Sequence, residues 1–418
     1  MMPQVPHSET PMVIAESQAN LLDLSVLLPM LKIESASVKA IQPRRMRSHY
    51  RATINWMTQY QLKNDASNLV NIQGLLQAFY HFCAVEDWGR ASQIFLLELP
   101  PLLPDSLHRQ LNVWGDYVSS IELCKKLVGK LDDEFDAIVL NTWGNSCNEL
   151  ARYREAIERY ELALESAQKA NNWEFASSTL THLGTVYHDL GRYEQARKYL
   201  EASLEMADDK GDMSGHIATL TNLANVQASL GNHQDAINLY QQALEELKHE
   251  TDLSTEANIL GNLGGTYQQV QNYQDAVDCL KKGLKIAEEE QDRGAECQTL
   301  LNLANVYSDL ENTDEAIDCY QRCLTVAREI KDPLTESEVL CDLAGTLFSI
   351  GQRVEAMQYY EKSLIICQRI GNAYTAAFVY KNLAEIASLN GFSESAEEFR
   401  DEALKLAKEL GLPFAEEW

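Results

Sequence analysis

The chain of 418 residues carries 35 Lys and Arg side chains against 62 Asp and Glu, for a formal net charge of -27. Residues 1–130 are near neutral with 12 basic and 11 acidic side chains, whereas residues 131–418 hold 23 basic and 51 acidic ones. Because this field repels phosphate along most of the chain, nucleic acid and anionic membrane surfaces are excluded as main partners.

The N-terminal segment, 1–42, is predicted to be partly disordered, with disorder expected over 1–20. It shows no basic region followed by an apolar run, so no signal peptide is predicted. Its apolar stretch, 21–31, is interrupted by Asp23 and Pro29 and is far shorter than the roughly 20 residues that cross a bilayer. Nine cysteines without CxxC pairs indicate reduced thiols. We therefore expect a cytoplasmic protein without membrane insertion.

Residues 43–130 are predicted to form degenerate helical repeats. The tripeptides at 86–88 and 115–117 repeat the pattern of the stronger turn at 191–193. Prolines between 100 and 104 predict a bend, since proline interrupts a helix. A wide basic patch precedes these repeats, and it is either a solvated helix face or a contact for an acidic surface. Its members are Arg44, Arg45, Arg47, His49 and Arg51.

Residues 131–418 contain seven units that repeat every 40 residues. Two Leu ladders run from Leu180 to Leu340 and from Leu183 to Leu383, and an Ala ladder runs from Ala156 to Ala396. A small residue also recurs in each unit. Its positions are Gly144, Gly184, Ala224, Gly264, Ala304, Ala344 and Ala384. Ladders in register over this length predict a repeat protein rather than separate globular domains.

Each unit is predicted to be two antiparallel helices. Residues 180–187 give one apolar stripe at helical spacing, and residues 196–207 give a second. Gly191 separates them and suits the left-handed conformation that ends a helix. Small residues fall where two helix axes must approach closely. The turn glycine is replaced by Ala151, Gln271 and Glu311, so these three turns are expected to be built differently.

These residues resemble the tetratricopeptide-repeat family, in particular Leu183-Gly184, Tyr187, the Gly-x-Tyr of 191–193 and Ala196. The family's usual unit has 34 residues. The 40-residue form is similar to the repeats of kinesin light chains, spindle-orientation adaptors, bacterial peptide-pheromone receptors and NB-ARC-type signalling NTPases. No GxxxxGK[ST] loop accompanies it. The resemblance implies an all-α fold, a right-handed superhelix (α-solenoid) of antiparallel helix pairs.

The resemblance also implies a concave groove, lined mainly by the first helix of each unit. Counted from the small residue, the positions two before it and one after it are expected to face this groove. Seven of these fourteen positions hold Asn, whose amide can pair with both the C=O and the N–H of a peptide. The predicted contact residues are Asn145, His182, Asn222, Asn225, Asn262, Asn302, Asn305 and Asn382. Alternatively, these amides cap or bridge neighbouring helices within the array.

None of the fourteen positions is Lys or Arg, although Lys381 adjoins Asn382. Without a basic clamp, a ligand held by its terminal carboxylate is disfavoured. The acidic field would also repel an acidic ligand. The partner is therefore predicted to be a neutral to basic protein or peptide.

Other groups were considered as sites of chemistry. Cys319 and Cys323 have the spacing of soft metal ligands, but their places in the repeat favour packing. His182 and His188 lack a nucleophile or a metal partner in the pattern. Runs of acidic residues near helix ends favour solvated surface, and no EF-hand spacing is present. We predict no catalytic residue, metal or cofactor.

Two functions remain open. The first is a non-enzymatic scaffold or adaptor that binds an extended peptide or partner helix in the groove. The second is a sensor or regulator whose array responds to a peptide or effector and gates a separate signalling protein through residues 43–130. An enzymatic role would have to depend on His182 or His188.

Overall fold

A computed structural model of the chain describes residues 24–34, 36–59, 68–100, 103–210, 213–248 and 252–410. The disorder expected over 1–20 lies outside the described residues. The chain divides into two compact units, Met1–Thr219 and Leu220–Trp418. Within the described ranges the regular structure is helical, apart from one antiparallel bridge between Leu99 and Leu103. The expected all-α fold class is confirmed.

Short helices make up the first part of unit 1, before the regular repeat. Two 3₁₀ turns occur at Leu24–Val26 and Ser37–Ala40. The α-helices are α1 (Leu27–Met30), α2 (Arg44–Gln59), α3 (Asn68–Asn71), α4 (Gln73–Ala84), α5 (Trp88–Phe95), α6 (Leu107–Val113) and α7 (Tyr117–Leu127). Part of the segment predicted to be partly disordered is packed, since Leu24, Leu27 and Leu31 are buried.

The repeat region consists of long helices of nearly equal length. In unit 1 these are α8 (Asp133–Glu149), α9 (Tyr153–Lys169), α10 (Trp173–Asp189) and α11 (Tyr193–Lys210), and α12 (Met213–Ser229) crosses the boundary between units. In unit 2 they are α13 (His233–Leu247), α14 (Leu253–Gln269), α15 (Tyr273–Glu290), α16 (Arg293–Asp309), α17 (Thr313–Glu329), α18 (Pro333–Ser349), α19 (Arg353–Ile370), α20 (Ala373–Leu389) and α21 (Ser393–Leu410). We call α8 and every second helix after it a first helix, and the helix that follows each one a second helix.

Each first helix packs on its second helix in the pairs α8–α9, α10–α11, α14–α15, α16–α17, α18–α19 and α20–α21. The Leu180, Leu183 and Ala156 ladders are buried at every position. The small residues lie at the contact, because a Cβ on Gly144 would approach Tyr160 Cε1 to 2.5 Å. Hydrophobic periodicity therefore places the core between the two helices of a pair.

The expectation that the turns at Ala151, Gln271 and Glu311 differ is wrong. Their φ angles of 55°, 60° and 57° lie in the same left-handed region as the 69° of Gly191. Two backbone bonds hold each turn. At Ala151 they are Ala151 N–H to the Asn148 carbonyl and Arg152 N–H to the Cys147 carbonyl, both 2.8 Å. These bonds satisfy the carbonyls at the helix end and override the side-chain preference.

Among the described residues, no helix has both the length and the apolar composition needed to cross a membrane.

Replacing Ala151 with Gly should stabilise the chain, since a residue with a Cβ in the left-handed region costs about 1–2 kcal/mol. The greater freedom of unfolded Gly offsets part of this gain, so we expect about 0.5–1 kcal/mol. Gly191→Ala should lower stability by a similar amount. Urea unfolding of both variants measures the difference, and a destabilised Ala151→Gly variant would contradict this account.

Candidate functional site

Side-chain caps fix where the first helices begin, and so fix which residues face outward along them. An Asp or Asn side chain accepts a hydrogen bond from a backbone N–H two or three residues on. Asp292 accepts from Ala295 N–H at 3.0 Å, and Asp332 accepts from Leu334 and Thr335 N–H at 3.0 and 3.1 Å. The caps recur at 40-residue spacing, at Asp132, Asn172, Asp252, Asp292, Asp332 and Asn372. Sequence analysis missed this ladder.

Within unit 2, the first helices α14, α16, α18 and α20 contact one another in order. The predicted residues Asn262, Asn302 and Asn382 occupy equivalent half-buried positions on α14, α16 and α20. Asn222 has the equivalent position on α12 and is also half-buried. The fold thus brings the amides of Asn262 and Asn302 onto the adjacent helices α14 and α16.

Three of the predicted amides are already used inside the array. Tyrosine hydroxyls of the second helices donate to the Oδ1 atoms of Asn145, Asn225 and Asn305. The Tyr160 to Asn145 distance is 2.6 Å, and Tyr320 to Asn305 is 2.5 Å. Tyr240 makes the same bond to Asn225. These three positions therefore fit the alternative interpretation, in which the amides bridge neighbouring helices.

A sequence signal for these pairs exists at a separation of 15 residues. Where the second helix has Leu200 or Leu280, the aligned first-helix residue is Thr185 or Gly265 instead of Asn. Tyr360 is the one second-helix tyrosine at this position without an Asn partner, because it faces Gly345, which has no side-chain amide. Asn and Tyr therefore occur together in three of the 40-residue repeats, because the Tyr hydroxyl donates a hydrogen bond to the Asn side chain. A count of groove positions on the first helices does not reveal this pairing.

The remaining amides differ in how far they are occupied. Asn262 Nδ2 donates to Asn225 Oδ1 at 3.2 Å. Asn302 Nδ2 lies 3.5 Å from the Gly261 carbonyl, and its Oδ1 accepts from Gln298 Nε2 at 3.3 Å. In the described part of the chain, no hydrogen bond is made by the amides of Asn222 and Asn382. The hydrogen-bonding groups of these two amides are therefore unused within the described ranges.

His182 in unit 1 has a packing role. Its Nδ1 lies 2.9 Å from Asn141 Oδ1, and its ring stacks on Tyr160 with centroids 5.4 Å apart. Desolvation lowers the pKa of His182 to about 4, so the ring is neutral near pH 7. His188 lies 3.4 Å from Asp189 and beside the Tyr193 ring. Neither histidine meets a nucleophile in these contacts.

The cysteines are packed in the helix pairs. Cys323 Sγ lies 3.3 Å from Cys297 Sγ. The hydrogen bond to Cys297 raises the pKa of the Cys323 thiol, and burial raises it further. Cys319 is buried as well. Across the described ranges, no three His, Cys, Asp or Glu side chains come together in a way that could hold a metal ion.

A cavity of about 630 Å³ lies within unit 2 where α16, α18 and α20 meet. Its walls include Glu338 and Asp342 of α18, Asn305 and Asp309 of α16, and the predicted Asn382 of α20. Aromatic side chains complete it, namely buried Tyr320 and Tyr360, half-buried Phe378 and exposed Tyr374. Sequence analysis treated Asp342 as one groove position among fourteen and did not consider Glu338.

The carboxyl groups of Glu338 and Asp342 on α18 lie in an environment that disfavours their charged forms. Desolvation, with a smaller contribution from Glu338, raises the pKa of Asp342 to about 6, while a hydrogen bond from Asn305 opposes the shift. Desolvation also raises the pKa of Glu338, and Asp332 adds to it. Negative charge in this cavity is therefore poorly compensated by the protein's own atoms.

The tetratricopeptide-repeat model matches five overlapping stretches, 135–209, 176–248, 215–289, 255–329 and 295–369. Together they span more than half of the chain. The chain belongs to the tetratricopeptide-repeat family. No curated protein sequence matches it.

Solved structures with this fold include three that cover most of the tetratricopeptide-repeat chain. The quorum sensor NprR of B. thuringiensis, in its apo form, is 16% identical, with a TM-score of 0.59 over 81% of this chain and 99% of its own. A Rap protein complexed with Competence and Sporulation Factor is 14% identical, with a TM-score of 0.56 over 93% and 98%. A signal transduction ATPase with a tetratricopeptide repeat sensor from Pyrococcus horikoshii is 14% identical, with a TM-score of 0.60 over 90% of this chain and 55% of that chain. At these identities the likeness shows the fold alone.

Tyr240→Phe should lower the free energy of unfolding by about 0.5–1.5 kcal/mol, because it removes the hydroxyl that donates to Asn225. Tyr360→Phe is the matched control, since that tyrosine faces Gly345 rather than an amide, and its loss should be smaller. Urea unfolding compares the two variants. Equal losses would show that the Tyr240–Asn225 bond contributes nothing specific.

Proposed function

We propose that this tetratricopeptide-repeat protein is a non-enzymatic scaffold or adaptor that binds an extended peptide, or a helix of a partner protein. The observation that carries the proposal is the set of half-buried amides at equivalent positions of the first helices, at Asn222, Asn262, Asn302 and Asn382. Asn222 and Asn382 are the members with no internal hydrogen bond among the described residues. Amides spaced by one repeat suit the main chain of a peptide, which offers a donor and an acceptor at every residue.

The rest of the predicted site has a supporting role in this proposal. Asn145, Asn225 and Asn305 are less available to a ligand, because each Oδ1 accepts from a tyrosine hydroxyl and Asn305 also donates to Asp342. His182 would give shape rather than charge, since its low pKa keeps it neutral. The proposed ligand is neutral to basic, in keeping with the net charge of -27. The nine free cysteines favour action in the cytoplasm, where thiols stay reduced.

The membership of the family supports a binding role, because repeat arrays present extended surfaces. One protein of similar fold, the Rap protein, is complexed with Competence and Sporulation Factor. That likeness supports a factor-binding role for this chain only as an analogy of fold.

Replacing Asn222, Asn262 and Asn302 together with Ala tests the amide contacts. Display of random peptides of about 12 residues on the wild-type chain first supplies ligands. We expect at least a tenfold loss of their affinity for the triple variant, as each lost hydrogen bond costs about 0.5–1.5 kcal/mol. Calorimetric titration measures the affinities.

The matched control replaces Asn232, Asn272 and Asn312, which precede second helices of the same unit and make no side-chain cap there. This control should bind the selected peptides like the wild type. Unchanged affinity in the first triple variant, with its helical signal intact, would end the amide proposal.

A sensor that gates a separate signalling protein is the second candidate. Two proteins of similar fold are a quorum sensor and an ATPase with a tetratricopeptide repeat sensor. In this candidate the helices α2 to α7 would be the output surface. The exposed residues Arg44, Arg45 and Arg51 on α2 would provide its charge.

Small-angle scattering with and without a selected peptide separates the two candidates. For a scaffold we expect an unchanged radius of gyration and unchanged amide exchange in α2 to α7, because binding energy is not spent on a second conformation. A measurable compaction, together with altered exchange in α2 to α7, would favour the sensor.

A further inference from the structure

The cavity of unit 2 differs chemically from the rest of the first-helix face. At the position two before the small residue, the seven 40-residue repeats carry Thr142, His182, Asn222, Asn262, Asn302, Asp342 and Asn382. Asp342 is the one carboxylate in this set. One turn earlier on the same helix stands Glu338, where the other units carry Ile138, Ser178, Ala218, Asn258, Gln298 and Phe378. Two carboxylates on one face of one helix therefore replace a pattern that is otherwise uncharged.

The neighbouring helices do not neutralise these carboxylates. Lys and Arg side chains are missing from the cavity wall as far as the structure describes it, and Lys381 adjoins Asn382 in sequence without lining the cavity. The titratable groups that do line it are Asp309 of α16, Tyr320 of α17, Glu338, Cys341 and Asp342 of α18, Tyr360 of α19 and Tyr374 of α20. Every one of these is neutral or negative near neutral pH, so the wall has a deficit of positive charge.

The geometry of the wall suits a planar or compact cation on a flexible stem. Residues four apart on a helix lie about 5–6 Å apart at Cβ, so one cationic group can reach both carboxylates. Tyr374 and Phe378 lie with ring centroids 5.1 Å apart, and the Tyr374 side chain is 58% exposed. Aromatic faces attract cations and cover their aliphatic stems. A volume of about 630 Å³ accommodates a long side chain and part of the backbone that carries it.

We propose that Glu338 and Asp342 form the subsite that selects a Lys or Arg side chain of the bound peptide. Tyr374 and Phe378 flank that side chain, and Asn382 and Asn305 lie beside its main chain. This inference rests on the proposed peptide-binding function and adds to it the residue type that the peptide must supply. Charge complementarity is the basis for the choice of occupant.

The carboxylates lower the stability of the empty chain, as expected of a site kept for a ligand. Because the pKa of folded Asp342 is raised to about 6, protonated Asp342 is favoured by the fold. Protonated Asp342 therefore contributes to the free energy of unfolding at low pH, and this contribution is lost as the pH rises through about 6. A bound cation reverses this, because it favours the ionised carboxylate and lowers its pKa.

The experiment compares peptide selections on three forms of the full chain. The first is the wild type, and the second is Glu338→Gln/Asp342→Asn, which keeps the shape of both side chains and removes both charges. The third, Glu394→Gln/Glu398→Gln, removes two charges with the same spacing from the exposed surface of α21. The random display library described above supplies the peptides.

We expect peptides selected on the wild type and on the α21 control to share Lys or Arg at one fixed position. That enrichment should vanish on Glu338→Gln/Asp342→Asn, while preferences at the other positions persist. In a selected peptide, replacing the basic residue by Gln should weaken wild-type binding about 10- to 100-fold, as a charge-assisted hydrogen bond implies. The same replacement should have no effect on binding to Glu338→Gln/Asp342→Asn.

Affinity should also depend on pH in a way that a merely structural role would not produce. Between about pH 7.5 and about pH 5, wild-type affinity for the basic peptide should fall several-fold as Asp342 becomes protonated. The Glu338→Gln/Asp342→Asn variant should show a flat profile over this range. Thermal unfolding of that variant at neutral pH should occur no lower than in the wild type.

Each contrary outcome has a distinct meaning. If no peptide is selected by any form, the proposed peptide-binding function fails, and this inference fails with it. If peptides are selected without a fixed basic position, the binding function stands and the cationic subsite is wrong. If spermidine binds the cavity more tightly than the selected peptide and displaces it, the subsite belongs to a small cation, and the proposal is again overturned.

Discussion

The close contact between the two helices of each pair is the constraint on which the other features depend. A Cβ on Gly264 would come within 2.5 Å of Leu280 Cγ, and a Cβ on Gly184 within the same distance of Leu200 Cγ. At Gly184 and Gly264, a side chain larger than that of Gly fits only if packed atoms shift. This contact fixes the spacing of first and second helices, and it thereby fixes which side chains of the first helix remain at the surface. The amides and the carboxylates of the proposed site follow from that geometry.

The tyrosines of the second helices show how the same contact divides the Asn residues into two classes. Tyr160, Tyr240 and Tyr320 are almost fully buried, yet each hydroxyl reaches an Asn at the edge of the pair. Burial raises the pKa of all three, so the hydroxyls remain protonated donors. Asn residues one position after the small residue thus complete the core. Of those two positions before it, Asn222 and Asn382 make no hydrogen bond among the described residues.

The repeat predicts the helices and the core well because its ladders record packing directly. Each ladder residue meets equivalent neighbours in every unit, so the 40-residue period and the helical spacing together determine what is buried. The turns at Ala151, Gln271 and Glu311 were misjudged because residue preference was given more weight than the two backbone hydrogen bonds that every turn makes. Local propensity yields to such tertiary constraints when they are repeated along the chain.

The candidate site was less predictable because its key contacts join different elements. The hydrogen bond from Tyr320 to Asn305 links the two helices of one pair. The cavity around Asp342 is lined in part by Tyr374, which belongs to the next 40-residue repeat. Counting positions on first helices predicts that Asn222, Asn262, Asn302 and Asn382 face a groove. It cannot show that Glu338, one turn before Asp342, shares a cavity with aromatic residues more than thirty positions later.

The residues that hold the pair α18–α19 together differ from the charged residues that line its cavity. Caps such as Asp332, turns such as the one at Gly351, and the small residue Ala344 maintain the architecture of the pair α18–α19. Glu338 and Asp342 lie on the same helix and belong to none of these groups. Substitutions at these two positions can therefore change the charge of the cavity wall without changing the caps, turns or helix contacts of the pair. The residues that hold the pair together and the residues that set the charge of its surface are different sets.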